Sequence, residues 1–320
     1  MTKLALPKNF NEHSYLDINP DVAAAVRAGH FESGAAHFLQ YGFKESRRLS
    51  RHPRPAPLRR PFAQGAKPTR RDYILADLDL EKMEGMEIGA LAAPLVQKDE
   101  GNILYIDHAD TETLKKKYAD DPSVSLDNIV HVDAIWGENT LQDCIGSDRK
   151  LDYIVASHVI EHVPDLITWL NEIAQVLKPN GTLRLAIPDK RYTFDILRNE
   201  TYLHDVLDAY IRRSRIPSPR MILEHHNLVR HVNCSAAWQG SLDLSQINKA
   251  SSLENGIAAA TDAFENRTYH DVHCWIFTPH SFEILCKELS NLDLIKLKIL
   301  NIDPTIDNNF EFFVTMNGGQ

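Results

Sequence analysis

Short apolar runs bounded by polar or glycine-bearing turns recur through residues 73–320, and each is too short for three helical turns, so each reads as a strand. The first spans 86–89, the second 102–106 with Asp107 at its end, and the third 129–132, ending at Asp133. The fourth, Asp152-Tyr153-Ile154-Val155-Ala156-Ser157, runs straight into a polar turn, His158-Val159-Ile160-Glu161-His162. Residues 166–177 then repeat apolar side chains at a helical period, and Lys178-Pro179-Asn180-Gly181 turns the chain into a fifth strand at 182–188. Strand, polar loop, helix, Pro/Gly-punctuated return and strand make a βαβ unit. Ligands in such sheets sit beyond the carboxyl ends of the strands, so the turn bearing His158, Glu161 and His162 stands where chemistry is expected. Two late runs, 294–301 and 310–315, are joined by a polar Asp/Pro/Asn turn and should pair as a hairpin.

The spacing of the runs also divides the chain. In residues 1–50, Asn19 and Pro20 are placed to start a helix reaching Ala28, and residues 35–41 read as a second short helix. Residues 51–72 are a Pro/Arg-rich linker, and 73–320 form the main domain. Within it Thr111 is placed to cap a helix running through Lys117, with Glu112 in the first turn where the helix dipole favours an acid. About a hundred residues separate Ile187 from Leu292, more than one crossover helix needs, which predicts a helical lid at about 190–290.

Composition narrows the class without naming it. The 320 residues are 43% hydrophobic and 25% charged, ordinary for a globular protein. No run approaches the ~18 apolar residues of a membrane span, and the first residues lack the apolar stretch of a signal peptide. Cys144, Cys234, Cys274 and Cys286 form no C-x-x-C pair, which argues against a disulfide framework and points to a reducing, cytoplasmic setting. The net charge is −9, yet residues 51–71 carry seven Lys/Arg and no acid; removing those seven leaves −16 on the remainder. So acidic a body does not attract phosphate backbones, which counts against nucleic acid as a partner. The basic stretch reads as a solvated, stiff linker.

The Glu161-His162-Val163 turn and the Lys178-Pro179-Asn180-Gly181 return resemble those of the class I S-adenosylmethionine-dependent methyltransferases, of the kind called type 11. The resemblance implies a Rossmann-like α/β sheet of seven strands with an antiparallel last strand, and S-adenosylmethionine as cofactor. The family's first motif, an acid followed by a glycine-rich turn, falls on Glu87-Ile88-Gly89-Ala90-Leu91-Ala92-Ala93-Pro94, where only the first glycine stands. Asp107, twenty residues beyond Glu87 at the end of the next strand, is placed to accept the ribose hydroxyls, and the resemblance implies that Asp133, ending the third strand, contacts the adenine. Ser157 closes the cofactor-binding set of Glu87, Gly89, Asp107 and Asp133, and Trp136 is a candidate to flank the base. The depleted glycines keep a rival alive, a scaffold protein with this fold that has lost catalysis. Residues 9–50, with Asn19-Pro20-Asp21-Val22, His37-Phe38 and Tyr41-Gly42, resemble a short helical module found beside bacterial polysaccharide glycosyltransferase and methyltransferase domains. That resemblance implies a sugar or sugar-derived hydroxyl as acceptor, and contact with polysaccharide-synthesis proteins.

Nine of the fifteen histidines fall between 158 and 280. His158, Glu161 and His162 share one face of a turn, which leaves two roles open for them. One is general base catalysis by His162 or His158. The other is a divalent metal held by His158, Glu161 and His162 with His225 or His226 from the lid. That set resembles the metal-dependent O-methyltransferases that act on vicinal hydroxyls or RNA ends. Asp189, Arg191 and Tyr192, after the fifth strand, face the site by topology, while strand-like alternation puts His273 and Trp275 on one face as further substrate contacts.

Overall fold

The computed structural model describes residues 6, 10–12, 15–16, 19–42, 68–137, 139–146 and 148–318. The chain divides into two compact units, Met1–Arg59 and Arg60–Gln320. In the first, helix Pro20–Arg27 is followed by Gly34–His37, whose first turn is capped by the Ser33 hydroxyl accepting from Ala36 N, and by a π turn over Phe38–Gly42. Tyr15, Val22 and Phe38 form its small core, and the Tyr15 hydroxyl lies 3.0 Å from His37 Nδ1. Residues 51–67 of the Pro/Arg-rich stretch lie outside the described residues. Its end does not behave as linker: Thr69 caps helix Arg70–Ile74, which belongs to the second unit.

The second unit is built on one sheet with strands β1 (Glu84–Ile88), β2 (Asn102–Asp107), β3 (Ala134–Ile135), β4 (Leu151–Ser157), β5 (Leu177–Pro188), β6 (Leu297–Asp303) and β7 (Glu311–Gly318). Their order is β3-β2-β1-β4-β5-β7-β6. The first five pair in parallel, and β7 runs antiparallel to both β5 and β6. This is the expected α/β sheet with its antiparallel last strand. The chain winds outward from β1 in one direction and from β4 in the other, so the crevice between the ends of β1 and β4 is the topological switch point.

Helix Leu166–Val176, capped by Asp165, buries Leu166, Ile167, Leu170, Ile173 and Val176 on one face of the sheet. Ile154, Leu183, Leu185 and Phe282 complete that core. The other face holds Ile103, Tyr105, Val155 and Phe313, with Tyr73 stacked on Phe313 at 5.0 Å.

Three local expectations shift. The third strand lies at Ala134–Ile135 and not at 129–132, because Val130 N and Val132 N donate to Leu91 O and Thr111 Oγ1 instead of to β2. Asp110, not Thr111, caps the helix Thr111–Lys117. The Lys178 to Gly181 return is a wide bulge inside β5, since Leu151 pairs with Leu177 while Tyr153 pairs with Thr182. Between β5 and β6 stand helices Leu203–Arg212, Pro219–Leu228, Cys234–Trp238, Leu253–Asn266 and Pro279–Asn291. The second and fourth share a core of their own, Ile222, Ala260, Ala263 and Val272, whereas the first and last contribute Val206, Phe282 and Leu285 to the main core.

Candidate active site

The sheet delivers two groups of side chains to its carboxyl edge. At the end of β1, Gly89 has φ 71°, and a Cβ there would lie 2.9 Å from Val159 Cγ2. Gly89 therefore lets the two strand ends that flank the switch point close on each other. Leu91, where the motif usually carries a second glycine, also has positive φ, so the turn keeps its path without the residue that makes it easy. The Glu87 carboxylate is buried and accepts from Leu95 N and Val96 N, so it holds the loop from within. Burial pushes its pKa up to about 7, against the lowering effect of those two bonds. Asp107, at the end of β2, is buried, and its bonds from His108 N and His108 Nδ1 both go to Oδ1, leaving Oδ2 available. That suits a ribose diol, and together with the bare backbone at Gly89 it fits S-adenosylmethionine.

Three expected cofactor contacts are engaged within the protein. Asp133 sits one residue before β3, and its carboxylate accepts from Tyr105 N at 2.7 Å and Lys98 Nζ at 2.6 Å, back along β2. Trp136 donates its indole N–H to Glu172, on helix Leu166–Val176. Ser157 closes β4, and its hydroxyl accepts from Arg70 of the helix Arg70–Ile74.

The second group gathers after β4. His158 takes φ 54°, a left-handed conformation uncommon outside glycine, and the 3-10 turn Ile160–His162 follows. Cys274 N and Trp275 N donate to Glu161 O at 2.6 and 3.2 Å, which brings the segment after the lid helices onto this turn. The Glu161 side chain is fully buried, and neither carboxylate oxygen has a hydrogen-bond partner. Around Glu161 Oε1 stand His158 Nδ1 at 3.5 Å, His162 Nε2 at 3.9 Å and His273 Nε2 at 3.9 Å.

Each of these imidazoles has a carboxylate near its other nitrogen, hydrogen-bonded at His158 and His273 and in ion-pair contact only at His162. His158 Nε2 lies 2.8 Å from Glu311, His162 Nδ1 2.8 Å from Asp271, and His273 Nδ1 2.6 Å from Asp195. Burial lowers the His162 pKa, but the Asp271 contact and the Glu161 charge outweigh it and the net shift is upward. The partners are themselves neutralised: Glu311 by Arg70, Asp271 by Lys117 and Asp195 by Arg198.

Of the lid histidines, His225 stands beside His273 with ring centroids 6.1 Å apart. Its Nδ1 is buried without a partner, and burial with the nearby Arg198 charge lowers its pKa to about 3. His226 turns away and pairs Nδ1 with the Ser251 hydroxyl at 2.6 Å, so it leaves the candidate set.

The expected substrate residues also divide. Asp189 is fully buried and saturated by Arg191 and by the Thr305 hydroxyl, so it shapes the turn instead of meeting a ligand. Trp275 lies in the main core with its indole N–H on Val163 O, which removes it from the site. Tyr192 stacks on Trp238 with centroids 4.0 Å apart and planes 4° from parallel, and Arg191 lies over the Tyr192 ring. Trp238 donates to Asn309 O, next to Phe310, whose ring packs against His158. Glu311, Arg70, Asp195, Asp271 and Trp238 were not among the expected site residues. Their types are common, and nothing local in the sequence marks them.

A topological switch point between β1 and β4, a strand-end acid on β2 and a histidine set after β4 are the arrangement of a group-transfer enzyme of the class I S-adenosylmethionine-dependent type. Residues 61–297 match a family described as a methyltransferase domain, and the chain belongs to that family. S-adenosylmethionine is its methyl donor. Among solved structures the chain is similar to one from Rhodobacter sphaeroides described as a zinc-dependent alcohol dehydrogenase, at 13% identity and TM-score 0.44, covering 79% of this chain and 92% of that one. It is also similar to an S-adenosylmethionine-dependent methyltransferase from Clostridium acetobutylicum, at 9% identity and TM-score 0.37, covering 74% and 84%. A third, a SAM-dependent methyltransferase from Aquifex aeolicus, gives 10% identity and TM-score 0.36, covering 77% and 88%. No curated protein gives a significant match.

Proposed function

We propose that the enzyme methylates a hydroxyl of a sugar or sugar-derived small molecule. The observation that carries this reading is His158. Its Nε2 is turned to Glu311, which fixes that nitrogen as the N–H and leaves Nδ1 as a base at the carboxyl edge of β4. S-adenosylmethionine supplies a methyl on a sulfonium that leaves as a neutral thioether, so the protein's task is to orient the acceptor and take its proton. A hydroxyl needs such a base more than a thiol or amine does, because its own pKa is far above neutral. The Tyr192–Trp238 stack, adjoining Phe310 and His158, supports a sugar acceptor, since the Trp238 face turned away from Tyr192 suits the C–H face of a pyranose while Arg191 is near for its oxygens. The resemblance of residues 9–50 to a module beside polysaccharide enzymes supports the same class and a partner among polysaccharide-synthesis proteins.

Mass spectrometry of sugar nucleotides and glycans incubated with the enzyme and S-adenosylmethionine tests this. A product heavier by one methyl on oxygen is expected. Methylation confined to nitrogen or carbon acceptors would overturn it.

A further inference from the structure

The geometry points to a divalent transition-metal site formed by Glu161, His162 and His273, with His158 at its rim. One ligand atom from each of the first three lies within 4.8 Å of the other two. The argument is one of donors and acceptors. Asp195 is hydrogen-bonded to His273 Nδ1, which makes that nitrogen the N–H, and the Asp271 carboxylate 2.8 Å from His162 Nδ1 favours the proton there without forming an aligned hydrogen bond. In the neutral rings, the form that binds a metal ion, the inner nitrogens then carry lone pairs, and both face Glu161, an anion with no donor of its own. His158 repeats the pattern, with Glu311 outside and Glu161 inside.

Lone pairs converging on a fully buried, unpartnered carboxylate need a cation among them. At 3.5 to 3.9 Å the contacts are too long for hydrogen bonds. Metal bonds of ~2.0–2.2 Å set neighbouring ligand atoms roughly 3–3.5 Å apart, so a small closing movement of the rings suffices.

Carboxylate-backed imidazoles are the usual outer support of metal ligands, since they fix the tautomer and raise basicity. Two imidazoles and one carboxylate suit zinc, iron(II) or manganese better than magnesium or calcium, and leave positions open for oxygens of a ligand. The proposal deepens the reading above, because an acceptor with adjacent hydroxyls could fill those positions beside His158. The ion's presence does not depend on that reading. The set differs from the expected one in its lid contribution: His273 replaces His225 or His226. His225, neutral and beside His273, lies outside the three.

The full chain, purified without chelator, is expected to carry about one zinc, iron or manganese ion per molecule by elemental analysis. After chelator stripping it should take up Co2+ with the visible absorption of a low-symmetry site. Glu161→Gln and His162→Ala should each lower metal content at least tenfold with the circular dichroism spectrum unchanged, while His226→Ala leaves it intact. His273 is buried, so His273→Ala is read only if its spectrum matches the parent.

A metal-free chain that takes up no Co2+ at micromolar concentration overturns the site. So does metal content unchanged in both Glu161→Gln and His162→Ala. S-adenosylmethionine binding is measured separately by calorimetry. Loss of metal with donor binding intact counts against the metal alone, and metal without donor binding counts against the methyltransferase reading alone.

Discussion

At the scale of single residues the site can be tested in parts. Asp107→Ala removes a carboxylate placed for two ribose hydroxyls, so S-adenosylmethionine affinity should fall by ~1–3 kcal/mol in calorimetry while the fold persists. Unchanged affinity would take Asp107 out of the site. His158→Gln should lower kcat by ~10²–10⁴-fold with donor affinity preserved, because it removes a proton acceptor and no cofactor contact.

Glu87 carries a pH dependence. Its pKa is raised by burial to about 7, so the fold favours the neutral acid. That stabilisation is complete below the ordinary glutamate value and is lost as pH rises toward 7. Thermal melts should show the parent losing on the order of 3 kcal/mol relative to Glu87→Gln between pH 4.5 and 7; parallel curves would contradict it. Legibility at this scale was uneven. His158, Glu161 and His162 could be read because three ligand-type side chains share one turn. Asp133 misled because a strand-end acid is placed as well to cap a neighbouring strand, which its bonds to Tyr105 N and Lys98 show.

Among elements, the β1 to β4 crevice depends on close approach at Gly89. Gly89→Ala would press a methyl on Val159 and force a positive φ on alanine, so a loss of ~1–3 kcal/mol in stability is expected in denaturant titration, together with weaker donor binding. The sheet strands were legible because buried parallel strands are short apolar runs. The third was not, since Ile129 is buried by packing and leaves no strand signature distinct from that of a covered loop. Likewise Trp275 beside His273 looked like a ligand face. Cys274 N and Trp275 N both turn to Glu161 O, so the segment does not keep a strand's alternation, and it sends one ring to the core and the other to Glu161.

Taken whole, the molecule joins an acidic body to a basic stretch. At −9 overall it should not retain RNA or DNA at physiological salt, and filter binding that showed tight, salt-sensitive retention would count against a small-molecule acceptor. Among the described residues no helix is long and apolar enough to cross a membrane. Architecture at this scale followed from the order of runs and turns. The polar partners of the histidines did not, because they come from far along the chain: Glu311 stands 153 residues from His158, and Asp195 lies 78 from His273.

The antiparallel insertion of β7 between β5 and β6 has a consequence for biosynthesis. Glu311, opposite Pro188 in that ladder, reaches His158 only after β7 has threaded between two strands made before it. Such distant pairing is slow to nucleate, so on a nascent chain His158 lacks its carboxylate partner until β7, 153 residues further on, has been made and inserted. The nitrogen that takes the proton is set only at that step.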